Sequence, residues 1–250
     1  MSRYYVTVTW DEVPHLTEDQ KAELWESIPP WERDARFKGI PVLGSGKIYT
    51  VPEEEVVVPT FEVPDHWVRA YGFDVGWNCT AGIWGAKDRD TGIVYLYSEH
   101  WRGQAEPLVH ADGVKSRGEW IPGVIDPASR GRAQHDGMQL LEMYKKLGLK
   151  LQVADNSVEY GLREVWTALS SGLLKVMDCC PRWIEEYRLY RRDENGKVVK
   201  KGDHLMDATR YLIVSGISKA AQMPLDADKG NPMTDDHYFG RMASADAWMG

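Results

Sequence analysis

Tyr71-Gly-Phe-Asp-Val-Gly-Trp77 is an apolar run interrupted by a single carboxylate, Asp74. An ionised side chain inside a strand loses its hydration, so it is tolerated only where a cation or hydrogen bonds compensate. Two more acids raise the same question. Asp126 ends Ile121-Pro-Gly-Val-Ile-Asp126, and Asp207 lies within Asp203-His-Leu-Met-Asp-Ala-Thr-Arg-Tyr211. Together the three look like a metal-binding carboxylate cluster, with a divalent ion such as magnesium as the compensator.

Working outward from Asp74, Trp67 to Val75, Ala81 to Ala86 and Ile93 to Glu99 are strand candidates. The polar Lys87-Asp-Arg-Asp-Thr-Gly92 reads as a hairpin turn between the last two, which makes this part antiparallel. The pattern then alternates: a helix over 106–117, a strand over 121–125, a helix over 135–147 ended by Gly148, a strand over 149–154 and a helix over 157–171 ended by Gly172. A three-strand meander followed by helix–strand units is the order of the ribonuclease H-like fold, an α/β mixed sheet with antiparallel and parallel strands and helices on both faces. In such a sheet the first and fourth strands can lie side by side, bringing Asp74 and Asp126 to a shared edge. A late helix must then supply the third acid. The run His204 to Ile217 is helical, with Asp203 as a plausible N-cap and His204, Asp207 and Tyr211 on one face. The competing reading is a first helical turn merely decorated by His204 and Asp207, where the macrodipole favours acids.

The flanks read differently. Residues 1–66 form a linker-like extension, with a strand at Tyr4 to Thr9, a short helix from Thr17 to Ile28 capped by Thr17 and stopped by Pro29-Pro30, and a connector from Val51 to Pro64. Residues 67–217 make the α/β domain, and 218–250 an acidic tail without periodicity that is expected to be flexible or to dock elsewhere. Gly44-Ser-Gly-Lys47 resembles part of a phosphate-binding loop, but Pro41 and Ile48 stand where glycine and Ser/Thr are required.

Composition sets limits. A net charge of −8 argues against a protein that coats nucleic acid by bulk attraction, so any nucleic-acid contact must be local. The isolated Cys79 and the adjacent Cys179-Cys180 offer no CxxC pair and are assigned to packing. No apolar stretch approaches the roughly 18 residues of a membrane span, and the start lacks a signal-peptide pattern, which predicts a cytoplasmic protein.

Gly72-Phe-Asp-Val-Gly76, Val124-Ile-Asp-Pro127, Glu185-Glu-Tyr-Arg188 and Asp203 to Tyr211, in this order and spacing, resemble the C-terminal nuclease domain of tailed-bacteriophage terminase large subunits. Trp10-Asp-Glu-Val-Pro-His15, Arg33-Asp34 and Gly39-Ile-Pro-Val-Leu-Gly-Ser-Gly46 are similar to the linker that follows the motor ATPase in those proteins; the ATPase itself is missing. The resemblance implies an endonuclease for double-stranded DNA with little sequence preference, in the host bacterial cytoplasm. Its implied partners are a motor ATPase domain, a small terminase subunit and a capsid portal. It also implies two divalent ions, magnesium or manganese, with Asp74 shared between them and Asp126 and Asp207 each completing one side. Such ions, about 4 Å apart, activate water and stabilise both the added charge and the leaving oxygen. Without metal the clustered carboxylates repel and hold protons more readily, so activity should fall in mild acid.

Around these ligands, His204 and Asp203 are placed as supporting residues, Asp203 chiefly as a cap, and Asp155 as a cap rather than a ligand. Gly76 is either a close-approach position or a plain strand-end glycine. DNA is expected to be held by Arg188, Arg191, Arg192, Lys197, Lys200 and Lys201, set against only Asp193 and Glu194 in a hairpin turning at Asn195-Gly196, with Arg130 and Arg132 adding contacts. The alternatives are a junction-resolvase or transposase type of nuclease, a sugar-kinase or actin-like ATPase whose second phosphate turn is not found, and a catalytically silent packaging module.

Overall fold

The computed structural model describes residues 10, 13, 15–28, 37, 46–130, 140–225 and 227. In chain order the elements begin with helix α1 (Glu18–Ser27), strand β1 (Gly46–Lys47), the short helix α2 (Glu53–Val56) and strands β2 (Val57–Val58), β3 (Val68–Asp74), β4 (Thr80–Lys87) and β5 (Val94–Arg102). There follow α3 (Pro107–Lys115), β6 (Gly123–Ile125), α4 (Leu140–Lys146), β7 (Leu151–Val153) and α5 (Val158–Ser170). Further along come β8 (Leu174–Met177), α6 (Pro181–Leu189), β9 (Arg191–Arg192) and α7 (His204–Tyr211). Two compact units result, Met1–Thr50 with Arg188–Lys201, and Val51–Tyr187 with Gly202–Gly250.

The larger unit is built on a seven-stranded sheet in the order β2-β8-β5-β4-β3-β6-β7. β3, β4 and β5 form the antiparallel meander, and the remaining pairings are parallel. The turn between β4 and β5 closes where the sequence placed it: Asp88 accepts from the backbone of Asp90 and the hydroxyl of Thr91, and Gly92 supplies the left-handed φ of 77°. β3 is central and buried along nearly all its length, as expected of a strand covered on both faces. On one face Tyr71 stacks on Trp84 and Phe73 meets Tyr144 of α4 edge-on, inside the main apolar cluster. On the other face α7 lies so close that a Cβ on Gly72 would collide with the carbonyl oxygen of Ala208. Gly72 therefore lets the helix backbone rest directly on the strand.

In the larger unit two short strands fall outside the sequence reading. β8 pairs with β5, and β2, from the stretch read as a connector, pairs with β8 at the sheet edge. Runs of two and four residues are too short to display a period of two, and their partners are remote in the chain. The segment after residue 217 also begins attached, since Ala221 and Arg69 exchange backbone hydrogen bonds. The helix expected over 135–147 is seen as α4, residues 131–139 lying outside those described. The late helix runs regularly only to Tyr211 and continues as a π-helical turn, Leu212–Gly216.

In the smaller unit Thr17 caps α1 as expected: its hydroxyl accepts from Gln20 N while the Gln20 side chain accepts from Thr17 N. Ile28, ahead of Pro29, is extended. The Arg188–Lys201 segment forms the anticipated hairpin, with Gly196 at φ 76° and Asp193 accepting from the backbone of Asn195 and Lys197. Its strand β9 pairs with β1, so Gly46 and Lys47 of the incomplete phosphate-loop pattern run as strand. The strand expected at Tyr4 to Thr9 lies outside the described residues.

Candidate active site

β3 and β6 are parallel neighbours, with Phe73 opposite Ile125, so Asp74 and Asp126 leave the carboxyl ends of adjacent strands, and Asp126 N donates to Phe73 O. In open α/β sheets this is where ligands bind. α7 brings the third acid. His204 Nδ1 is 2.9 Å from Asp74 Oδ2, and Tyr211 OH donates to Asp126 Oδ1 at 3.2 Å, so one helix face touches both strand-end carboxylates. Asp207, on the same face, is buried and accepts from Arg210 Nη2 at 3.1 Å.

The electrostatics agree with this convergence. Burial holds the Asp74 carboxyl above its ordinary range; the His204 hydrogen bond works against that, and the charges of Asp207 and Asp126 add to it. His204 is raised in turn, first by its bond to Asp74. The Tyr211 phenol is pushed up by burial and then by Asp126 and Asp207. Three hard-oxygen carboxylates that repel one another suit a hard divalent cation, which would relieve both burial and repulsion. Among the described residues, no three His, Cys, Asp or Glu side chains stand grouped to hold a metal ion as they are.

Several supporting residues escaped the sequence reading. Arg210, 1% exposed, donates to Asp207 and with both terminal nitrogens to Asn156 Oδ1, while its stem fills the space left by Gly161, where a Cβ would collide with Arg210 Cγ. The capping role expected of Asp203 belongs to Glu186. Asp203 sits at the N-cap with ψ 7°, outside the extended range that turns a side chain back onto the helix, and makes no cap bond. Glu186 Oε2 instead accepts from Leu205 N and Met206 N. One step back, Glu99 on β5 accepts from Arg182 N and Trp183 N and so caps α6, which carries Glu186. The only sequence signal for Glu186 was its place in the Glu185 to Arg188 motif. Asp155 is exposed and accepts from Ser157 N in a local turn ahead of α5; Ser157 is the N-cap and no side chain caps that helix, so the capping expected of Asp155 is not seen. Gly76 serves a tight turn: a Cβ there would meet Cys79 O at 3.0 Å, and Thr80 bonds its backbone. Of the expected DNA contacts, Arg130 ends a 3-10 turn after Asp126, Arg132 lies outside the described residues, and the hairpin arginines and lysines belong to the smaller unit.

Glu186 yields a test. Burial raises its carboxyl from 4.5 to about 7, with the two cap bonds opposing. Because the folded state holds this proton more tightly than the unfolded chain, the stability it contributes is full below about pH 4.5 and is lost as pH rises through about 7. In metal-free buffer, Glu186→Gln, which keeps an acceptor for α7, should abolish a decline of up to about 3 kcal/mol between pH 5 and 8. Denaturant melts at both pH values check this; an unchanged pH dependence would refute the assignment.

Residues 72–215 match the family described as the terminase RNaseH-like domain. The terminase large subunit of Salmonella phage P22 is 36% identical over 221 residues, covering 84% of this chain and 44% of that protein, and the large subunit of Enterobacteria phage LP7 is equally identical, with 46% of its length covered. The chain thus spans less than half the length of these curated relatives. Among solved structures, the nuclease domain of the P22 large terminase aligns with a TM-score of 0.65 at 34% identity, over 72% of this chain and 97% of that one. The large terminase of a thermophilic bacteriophage aligns with a TM-score of 0.65 at 25% identity, over 83% of this chain and 55% of that one.

Proposed function

This chain belongs to the terminase RNaseH-like domain family, and from that premise we propose that it is a metal-dependent endonuclease cutting double-stranded DNA with little sequence preference during viral genome packaging. The observation that carries the reading is the meeting of Asp74, Asp126 and α7 at the carboxyl edge of β3 and β6. Asp74, Asp126 and Asp207 would hold two divalent ions, magnesium or manganese, through their hard carboxylate oxygens. Bound there, such ions supply an activated water and charge stabilisation for phosphodiester hydrolysis.

The protein's own residues do the rest. His204 fixes the Asp74 carboxylate, and the same bond raises the imidazole's proton affinity. Tyr211 orients Asp126, and Arg210 orients Asp207. Arg188, Arg191, Arg192, Lys197, Lys200 and Lys201 grip phosphates without reading bases. Within a longer packaging protein the domain would work beside a motor ATPase, a small terminase subunit and the capsid portal, in the host cytoplasm. Among the described residues no helix is long and apolar enough to cross a membrane.

Incubation with supercoiled plasmid tests the proposal. Manganese or magnesium should produce nicked and then linear DNA, and chelation should stop it. Preference for branched substrates would instead favour a resolvase-type nuclease, and binding without cleavage a silent packaging module.

A further inference from the structure

The meander carries the site's chemistry across the sheet. Asp74 stands opposite Ala81 in the pairing of β3 with β4, and Ala81 opposite Trp101 in the pairing of β4 with β5. Opposed residues of an antiparallel sheet project from one face. Trp101 therefore shares a face with Asp74, two strand spacings or about 10 Å away. The alternation checks this: Phe73, Gly82 and His100 form the neighbouring row, and the rings of Phe73 and His100 meet on the opposite face.

Arg182, at the start of α6, lays its guanidinium over the Trp101 ring, 4.7 Å from the centroid. Its backbone is fixed as well, because Arg182 N donates to Glu99, two residues before Trp101 on the same face of β5. Both side chains are exposed. The Arg182 charge reaches the site's edge: the Cys79 thiol, pushed up to about 12 chiefly by burial, feels the Asp74 carboxylate and the Arg182 guanidinium with opposite signs. A guanidinium held flat on an aromatic ring keeps its N–H edge free and loses little freedom on binding, which suits two-pronged recognition of a phosphate. The surrounding groups, Asp74, Asp126, Asp203, Asp207 and Glu186, are acidic, so a polyanion crossing this face gains from a fixed cation beside them.

We propose that Arg182, braced by Trp101, binds a backbone phosphate of the strand being cut, about one or two nucleotides from the scissile position. This rests on the nuclease reading above. Arg182 is here a substrate-binding residue and Trp101 a positioning residue.

The test titrates a fluorescein-labelled duplex, in chelator, with the 250-residue chain and its Arg182→Ala, Arg182→Lys and Trp101→Ala variants across a salt series. Arg182→Ala should weaken binding about tenfold and reduce the salt slope by about one. Arg182→Lys should recover only part of that loss, and Trp101→Ala should lose affinity although it keeps the charge. In metal-dependent cleavage, KM should rise more than kcat falls. A neutral methylphosphonate placed one or two nucleotides from the cut should weaken the wild type but add nothing to Arg182→Ala. If Arg182→Ala keeps wild-type affinity and salt slope while the wild type cleaves normally, the pair merely clamps β5 to α6 and the inference falls alone. If the wild type neither binds nor cuts duplex DNA, the nuclease reading falls with it.

Discussion

Asp74→Ala should lower metal-dependent DNA cleavage by on the order of a thousandfold or more without unfolding the chain, because the metal-holding role proposed for Asp74 asks it for several kcal/mol of transition-state stabilisation. The fold should tolerate the change. Asp74 occupies the last position of β3, its carboxyl is destabilised by burial, and the charges of Asp207 and Asp126 add to that. Removing it relieves the repulsion, at the cost of the bond to His204. In metal-free buffer the variant should therefore melt at or above the wild-type temperature. The wild type alone should gain thermal stability on adding manganese, since an ion that binds only the folded state stabilises it by mass action. Plasmid nicking and melts with and without manganese read both effects. Normal cleavage by Asp74→Ala would refute the site assignment, and equal manganese stabilisation of both proteins would refute the ion's location.

Arg210→Met should have the largest effect on stability. Arg210 is fully buried, pairs with the buried Asp207, reaches Asn156, and lies over the Tyr211 ring. Methionine replaces much of the stem but leaves the Asp207 carboxylate without its cation. Breaking one side of a buried pair costs about 3–5 kcal/mol, which for a chain of this length lowers Tm by roughly 10 °C. Cleavage should fall as well, since Asp207 loses the contact that aims it. Adding Asp207→Asn should restore much of the lost stability and none of the cleavage. A full loss in the double variant would show that Arg210 acts by packing alone.

What the sequence made legible follows from how far each signal reaches. The meander, its turn at Lys87 to Gly92 and the Thr17 cap rest on neighbours within a few residues, and each lies where the pattern placed it. The side-by-side placement of Asp74 and Asp126 needed only the strand order. The helix face of His204, Asp207 and Tyr211 needed only helical periodicity, and two of its members meet the strand-end carboxylates. β8 was missed because four residues cannot declare a period. Glu99, Asn156, Glu186 and Arg210 were missed for another reason. The first three have their meaning in partners 19 to 84 positions away, and a single chain carries no mark of such pairing; Arg210 stands only three residues from Asp207, but nothing in the run marks that pair as buried. Asp203 shows the converse error: a residue of the right type at the right place, while a carboxylate from another helix does the work.

The succession from Glu99 to α6 and from Glu186 to α7 also sets the order in which this site would fail. Detachment of α6 from the strand edge takes Glu186 with it, which unseats the first turn of α7 and carries His204 and Asp207 away from Asp74 together. Damage to a distant part of the sheet thus scatters the carboxylates before the whole body melts, and a half-denatured molecule has already lost its site.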